Sequence, residues 1–83
     1  MPIAYQLEQA VFKATFSDVI AVDEAEALLE WLRSHPGASV DLAPCTHLHP
    51  ANLQVLMAVR PWIVGWPADV QLASWLESAL RSP

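Results

Sequence analysis

The segment Ser39–Met57 constrains the fold of this chain more than any other part of the sequence. It reads S-V-D-L-A-P-C-T-H-L-H-P-A-N-L-Q-V-L-M. The first residues, Ser39–Leu42, predict a short strand, and a polar loop leads from it to a helix that begins at Pro50, where the missing N–H of proline costs nothing. Because this second helix is apolar on nearly every side, we expect it to pack against a sheet and a further element.

The residues before this segment predict strands and a helix. Tyr5–Phe16 alternates apolar and polar residues, with a break near Gln9-Ala10, which is typical of one or two short antiparallel strands. Asp23 is the expected N-cap of a first helix, whose leucines repeat at helical spacing. His35-Pro36-Gly37 ends that helix. We expect Val19-Ile20-Ala21 to be either a loop or a short strand.

The residues after the second helix predict a last helix. Trp62–Pro67 is either a loop or a weakly signalled strand, and Val70–Ala73 is predicted to be a strand. Ser74 and Glu77 match a capping box that opens the last helix, with Trp75 on its buried face. The order of elements therefore predicts an α/β or α+β fold, in which three helices pack on a small mixed sheet, as a single domain over residues 1–83.

Composition and charge exclude several classes of protein. The chain has 83 residues, a net charge of −5 and one cysteine, so basic patches for nucleic acid or anionic membranes are not expected. The sequence shows no membrane-spanning run and no signal-peptide pattern at its start, so we expect a cytosolic protein. A 54% hydrophobic fraction with four tryptophans is high for so short a chain. This surplus favours a protein partner or a homo-oligomer.

Three residues invite a chemical interpretation. Cys45, His47 and His49 form the pattern C-T-H-x-H, and cysteine and histidine are ligands of zinc and copper. A helix N-terminus could also lower the pKa of Cys45, with a histidine as its base. The alternative is a polar loop in which one histidine caps the second helix. We favour this alternative, and predict no enzymatic activity, metal or cofactor.

The middle of the chain resembles the STAS family, the domain of anti-sigma factor antagonists and sulfate transporter tails. The similarity runs from about Ala14 to Leu80 and is closest over Val40–Met57. In that family an apolar strand and a short loop lead into a D-S-S-G-like motif at the start of an apolar helix. His49-Pro50-Ala51-Asn52 stands in its place here. The family's phosphorylated serine would fall on Pro50 or Ala51, which carry no hydroxyl, so the resemblance implies a domain without that switch.

The resemblance implies a non-enzymatic protein-interaction module in a cytosolic, bacterial-type signalling or regulatory assembly. Its partner would be a kinase-like anti-sigma factor or another sensory protein, docking on residues 47–52 and the start of the second helix. Two alternatives remain open: a small metal-binding protein that uses Cys45, His47 and His49, and a structural subunit of a homo-oligomer. The residues expected to contact a partner are Thr46, His47, His49, Pro50, Ala51, Asn52, Trp62 and Trp66.

Overall fold

The computed structural model describes residues 2–81, which form six strands and three helices around one hydrophobic core. This confirms the predicted α/β class with a small mixed sheet. A short 3-10 turn, Val22–Glu24, precedes the first helix. The strands are β1 Ile3–Glu8, β2 Val11–Phe16, β3 Asp18–Ile20, β4 Ser39–Asp41, β5 Cys45–Leu48 and β6 Trp62–Gly65, and the helices are α1 Ala25–Ser34, α2 Pro50–Val59 and α3 Val70–Arg81.

The four-stranded sheet has the order β1-β2-β4-β6, in which β1 and β2 are antiparallel and the other two pairings are parallel. The hairpin turns at Gln9-Ala10, as predicted, and both residues have positive φ angles of 50° and 67°. Such angles give a two-residue turn the twist that adjoining strands require. Strands β3 and β5 form a separate two-stranded parallel sheet.

One face of the four-stranded sheet is buried under helices. Alternate residues of neighbouring strands, among them Ile3, Ala14, Phe16 and Val40, are almost fully inaccessible to solvent, as the period of two in a strand requires. The residues between them, such as Ala4 and Gln6, are exposed. The helices contribute apolar side chains to the same core, namely Leu28, Leu32, Leu53, Val55, Leu56 and Leu76.

The first helix confirms the predicted stripe but not its predicted cap. Leu28 and Leu32 are buried, and the helix ends before Gly37, whose φ of 87° suits glycine. Asp23 lies inside the 3-10 turn and does not cap the helix, which has no side-chain cap. Trp31 packs within the chain, against the rings of Tyr5 and His35 at centroid distances of 4.8 and 4.7 Å.

The predicted strand Val70–Ala73 is wrong, because these residues form the first turn of α3. The true N-cap is Asp69, whose Oδ1 accepts a hydrogen bond from the Leu72 N–H at 2.9 Å. The Ser74/Glu77 pair therefore lies inside the helix and is not a capping box. Trp75, predicted to be a core residue, is 42% exposed, since Leu72 and Leu76 occupy the inward stripe of this longer helix.

The predicted polar loop before the second helix is also wrong in part, since Cys45–Leu48 forms β5. Pairing with β3 holds these residues in an extended conformation that their composition does not predict. The second helix begins at Pro50, as expected, and ends at Val59, followed by the C-cap residue Arg60 with a left-handed φ of 53°. Of the two alternatives for Trp62–Pro67, the strand is correct, because β6 forms an edge of the larger sheet.

Candidate functional site

An open groove of about 660 Å³ lies beside the start of α2. It is bounded by β3 and the 3-10 turn, by β5 and His49, and by the first two turns of α3; we call it the β3–β5 groove. Thr46, His47 and His49, three residues predicted from the sequence to bind a partner, line it. The segment predicted to dock a partner therefore borders a concave surface.

Large apolar side chains line this groove and remain open to solvent. Val19 and Val22 are each 55% exposed, and Trp75 is 42% exposed. In β3 and β5, the register partners Val19 and His47 are both exposed, whereas the next pair, Ile20 and Leu48, is buried in the core. The β3–β5 sheet therefore lies between the core and the groove, and Val19 and His47 are the side chains that a ligand in the groove would contact.

A bulge in β5 keeps Cys45 and His47 apart. Asp18 pairs with Cys45 and Val19 pairs with His47, so Thr46 has no counterpart in β3. One extra residue in a strand turns the following side chains to the other face. Cys45 is consequently buried, and its Sγ–H donates to the His47 carbonyl oxygen at 3.3 Å, while the His47 ring is exposed. Within residues 2–81, no three His, Cys, Asp or Glu side chains are placed to hold a metal ion.

The environment of Cys45 also opposes a role as nucleophile. Burial raises the pKa of the Cys45 thiol; the hydrogen bond to His47 lowers it by less, and the Asp18 carboxylate raises it further. The thiol is therefore protonated at neutral pH, and a thiol reacts mainly as its thiolate. The expected effect of the helix N-terminus is absent because Cys45 lies in β5, ahead of the cap of α2. The pKa shift is opposite to that of an activated cysteine.

His49 is the N-cap of α2, as in the capping alternative. Its Nδ1 accepts a hydrogen bond from the Ala51 N–H at 3.0 Å. Pro50 has no N–H, and the N–H groups of Asn52 and Leu53 both donate to the His49 carbonyl oxygen. The first turn of α2 thus has its donors occupied, although a helix N-terminus commonly offers them to anions. Pro50 is exposed and Ala51 half-buried, so their surfaces, not their N–H groups, are what a partner would meet.

Asn52 lies beneath the surface on which it was predicted. Its side chain is fully buried, and Nδ2 donates to the Ala21 carbonyl oxygen at 2.8 Å. This bond ties the start of α2 to the connection between β3 and the 3-10 turn, two elements that border the groove. Asn52 therefore helps to hold the elements that border the groove in place and does not itself face a partner.

Trp62 and Trp66 are not brought together with the residues of the groove. Trp62 lies on the edge strand β6 and is 75% exposed. Trp66 is half-buried against the core, with the Arg81 guanidinium 5.3 Å from its ring centroid. The residues predicted to contact a partner thus form two separate sets, one at the groove and one near the edge of the larger sheet.

The sequence does not predict the α3 side of the groove. Leu72 and Trp75 of α3 face residues that lie far earlier in the chain, among them Val22. A signal for this wall existed in Asp69, which is a good N-cap residue followed by leucines at helical spacing.

Comparison with known proteins adds no family to this description. No protein-family model matches the chain, and no curated protein matches its sequence. None of the helices within residues 2–81 combines the length and apolar character needed to cross a membrane. The candidate function therefore follows from the geometry and chemistry of the β3–β5 groove.

Proposed function

We propose that this chain is a STAS-like, non-enzymatic module that binds another protein through the β3–β5 groove and the start of α2. The observation that carries the proposal is the exposure of Val19, Val22 and Trp75 in one concave surface. Exposed apolar side chains gathered in a groove mark sites of protein contact more often than scattered ones do. The partner would be a kinase-like anti-sigma factor or another sensory protein of a cytosolic regulatory assembly.

The proposed module works without a phosphoserine switch. Pro50 and Ala51 carry no hydroxyl, and the N–H groups that would stabilise a phosphate at this turn are already bonded to His49. Binding would then be constitutive, or controlled on the partner's side. The chemistry at Cys45 supports the same choice, since a buried, protonated thiol is a poor nucleophile. Its metal-ligand alternative lacks support because no three potential ligands come together within residues 2–81.

Site-specific photo-crosslinking tests the docking surface. A benzophenone side chain is introduced at Thr46, which is exposed in the groove, and, as the matched control, at Gln6 on the open face of the larger sheet. In cells that make this protein naturally, we expect a covalent adduct with a second protein from Thr46 but not from Gln6. The Trp75→Gln change should weaken that adduct. Equal adducts from both positions, or none from Thr46, would contradict the proposal.

A homo-oligomer remains a second candidate because of Trp62. This side chain and the 60% exposed Val64 lie on β6, an edge strand without a charged residue. Uncharged edge strands are open to pairing with another chain. Light scattering should then give a mass above that of one chain, and Trp62→Ser should restore the monomer. A monomeric protein at all concentrations would exclude this candidate.

A further inference from the structure

Charge is unevenly distributed around the β3–β5 groove. Asp69 lines it, while Asp18 and Asp23, both exposed, directly adjoin the lining residues Val19 and Val22 in sequence. No Lys or Arg of the described residues lines the groove. The four basic residues of the chain lie elsewhere, with Lys13 near Glu8, Arg81 near Glu77, and Arg33 and Arg60 at a cavity between the ends of α1 and α2.

This distribution selects among partners. Complementary charge speeds association and rejects wrong partners, whereas like charges brought together are unfavourable. An acidic segment entering the groove would meet the Asp69 carboxylate, and the lining holds no Lys or Arg to offset it; His47 and His49 are the other ionisable side chains there. A segment carrying Lys or Arg would instead be attracted, and its charges would lie beside Asp69.

The apolar part of the groove selects the form of the partner. Val19, Val22 and Trp75 come from β3, the 3-10 turn and α3, so the apolar surface is broad and not a single narrow row. A helix with apolar residues at i, i+3, i+4 and i+7 presents a matching stripe, with charged residues along both sides of it. Trp75 would supply the anchor, since tryptophan is enriched among residues that dominate binding.

We propose that the β3–β5 groove binds a cationic amphipathic helix of the partner protein, with its apolar stripe on Trp75 and its Lys or Arg side chains beside Asp69. This inference rests on the proposed docking function and gives the chemistry of the partner. The inference specifies the charge of the partner helix: an amphipathic helix of the same shape with acidic flanks should not bind.

Labelled synthetic peptides test the inference by fluorescence anisotropy. The probes have about 14 residues, or about 21 Å as a helix: a Leu/Lys peptide with a helical stripe, the same peptide with Glu for Lys, and a Leu/Lys peptide with the stripe scrambled. We expect only the first to bind well. Trp75→Gln should weaken its binding by about tenfold or more, and Asp69→Asn by about two- to fivefold.

Matched variants separate the groove from general attraction to an acidic protein. Asn caps helices as well as Asp does, so Asp69→Asn removes charge while keeping the cap of α3. Leu7→Gln and Glu30→Gln alter an exposed apolar side chain and an exposed acid outside the groove, and should leave binding unchanged. Equal binding of the acidic peptide, or unchanged binding by Trp75→Gln, would overturn the inference.

The two proposals fail in distinguishable ways. If crosslinking from Thr46 captures a protein that the Leu/Lys peptide does not displace, docking stands and the inferred chemistry is wrong. If the peptide binds through Trp75 but Thr46 yields no adduct in cells, the chemistry of the groove stands and the docking function is wrong.

Discussion

The Asn52 side chain gives a direct test of how the first turn of α2 is held. It is fully buried, its Nδ2 donates to the Ala21 carbonyl oxygen, and its Oδ1 has no partner among the described residues. Replacing Asn52 by Asp keeps the shape of the side chain, removes the donor and sets a carboxylate against the Ala21 oxygen. We expect the Asn52→Asp variant to lose about 3–5 kcal/mol of its free energy of unfolding at neutral pH.

Three effects combine in this magnitude. Loss of the hydrogen bond costs about 1 kcal/mol, and burial of an unpaired charge costs several kcal/mol. Asn52 is the third residue of α2, where the helix dipole favours a negative charge by about 0.3–1 kcal/mol. Desolvation therefore outweighs the dipole. Asn52→Leu removes the unpaired oxygen together with the donor, so the two effects offset and stability should change by only about 1 kcal/mol.

Urea denaturation followed by tryptophan fluorescence measures these changes. A buried carboxyl has a raised pKa, so its folded form binds a proton at a higher pH than its unfolded form. The penalty in Asn52→Asp should therefore shrink as the pH falls through that raised pKa and be full above it. Gln54→Glu, an exposed change on the same helix, should stay within about 0.5 kcal/mol. A cost for Asn52→Asp below about 1 kcal/mol, or one independent of pH, would refute the burial of this side chain.

Three further predictions concern single side chains. Burial, with the Glu24 carboxylate, raises the pKa of Tyr5, the only tyrosine, above 10.0. The absorbance of Tyr5 should therefore titrate at higher pH in the folded protein than in urea. Stability should fall above about pH 10, because the unfolded form ionises first. Glu24→Gln should lower the native midpoint, and an unchanged midpoint would contradict the electrostatic effect of the Glu24 carboxylate on Tyr5. Ala10→Gly should stabilise the protein by about 1 kcal/mol, because Ala10 has a positive φ that glycine adopts without strain. As the control, Ala27→Gly in α1 should cost about 0.5–1 kcal/mol. Both are measured by urea denaturation, and a destabilised Ala10→Gly variant would argue against the turn. Iodoacetamide should label Cys45 slowly in the folded protein and quickly in urea, and mass spectrometry that found fast labelling of the folded form would disprove its burial.

Local signals in the sequence were sufficient for the elements that depend on local structure. The alternation in Tyr5–Phe16 located the hairpin and its turn, and the leucine stripe located the buried face of α1. Pro50 marked the first residue of α2 because its ring suits that position alone within a helix. In each case the deciding interaction lies within a few residues in the chain, so the sequence contains it.

Interactions between distant segments decided the rest. Cys-Thr-His-Leu does not alternate apolar and polar residues as a strand usually does, and Cys45–Leu48 is extended because it pairs with β3. The bulge at Thr46, which separates Cys45 from His47, is a property of that register and cannot be read from one strand. Val70–Ala73 alternates over four residues, too short a run to distinguish a strand from the first turn of a helix. The sequence identifies Thr46, His47 and His49 as candidate contact residues, but the α3 wall of the groove depends on the tertiary fold.

The order β1-β2-β4-β6 also determines how this small chain must fold. Only the β1–β2 hairpin joins neighbours in sequence; the parallel pairings of β2 with β4, β4 with β6 and β3 with β5 each close a loop that contains a helix. A hairpin forms within about 1–10 μs, whereas pairings between distant segments first require loop closure at an entropic cost. The groove, which needs β3, β5 and α3 together, is therefore completed only late in folding, and folding should be slow compared with a helical bundle of similar length.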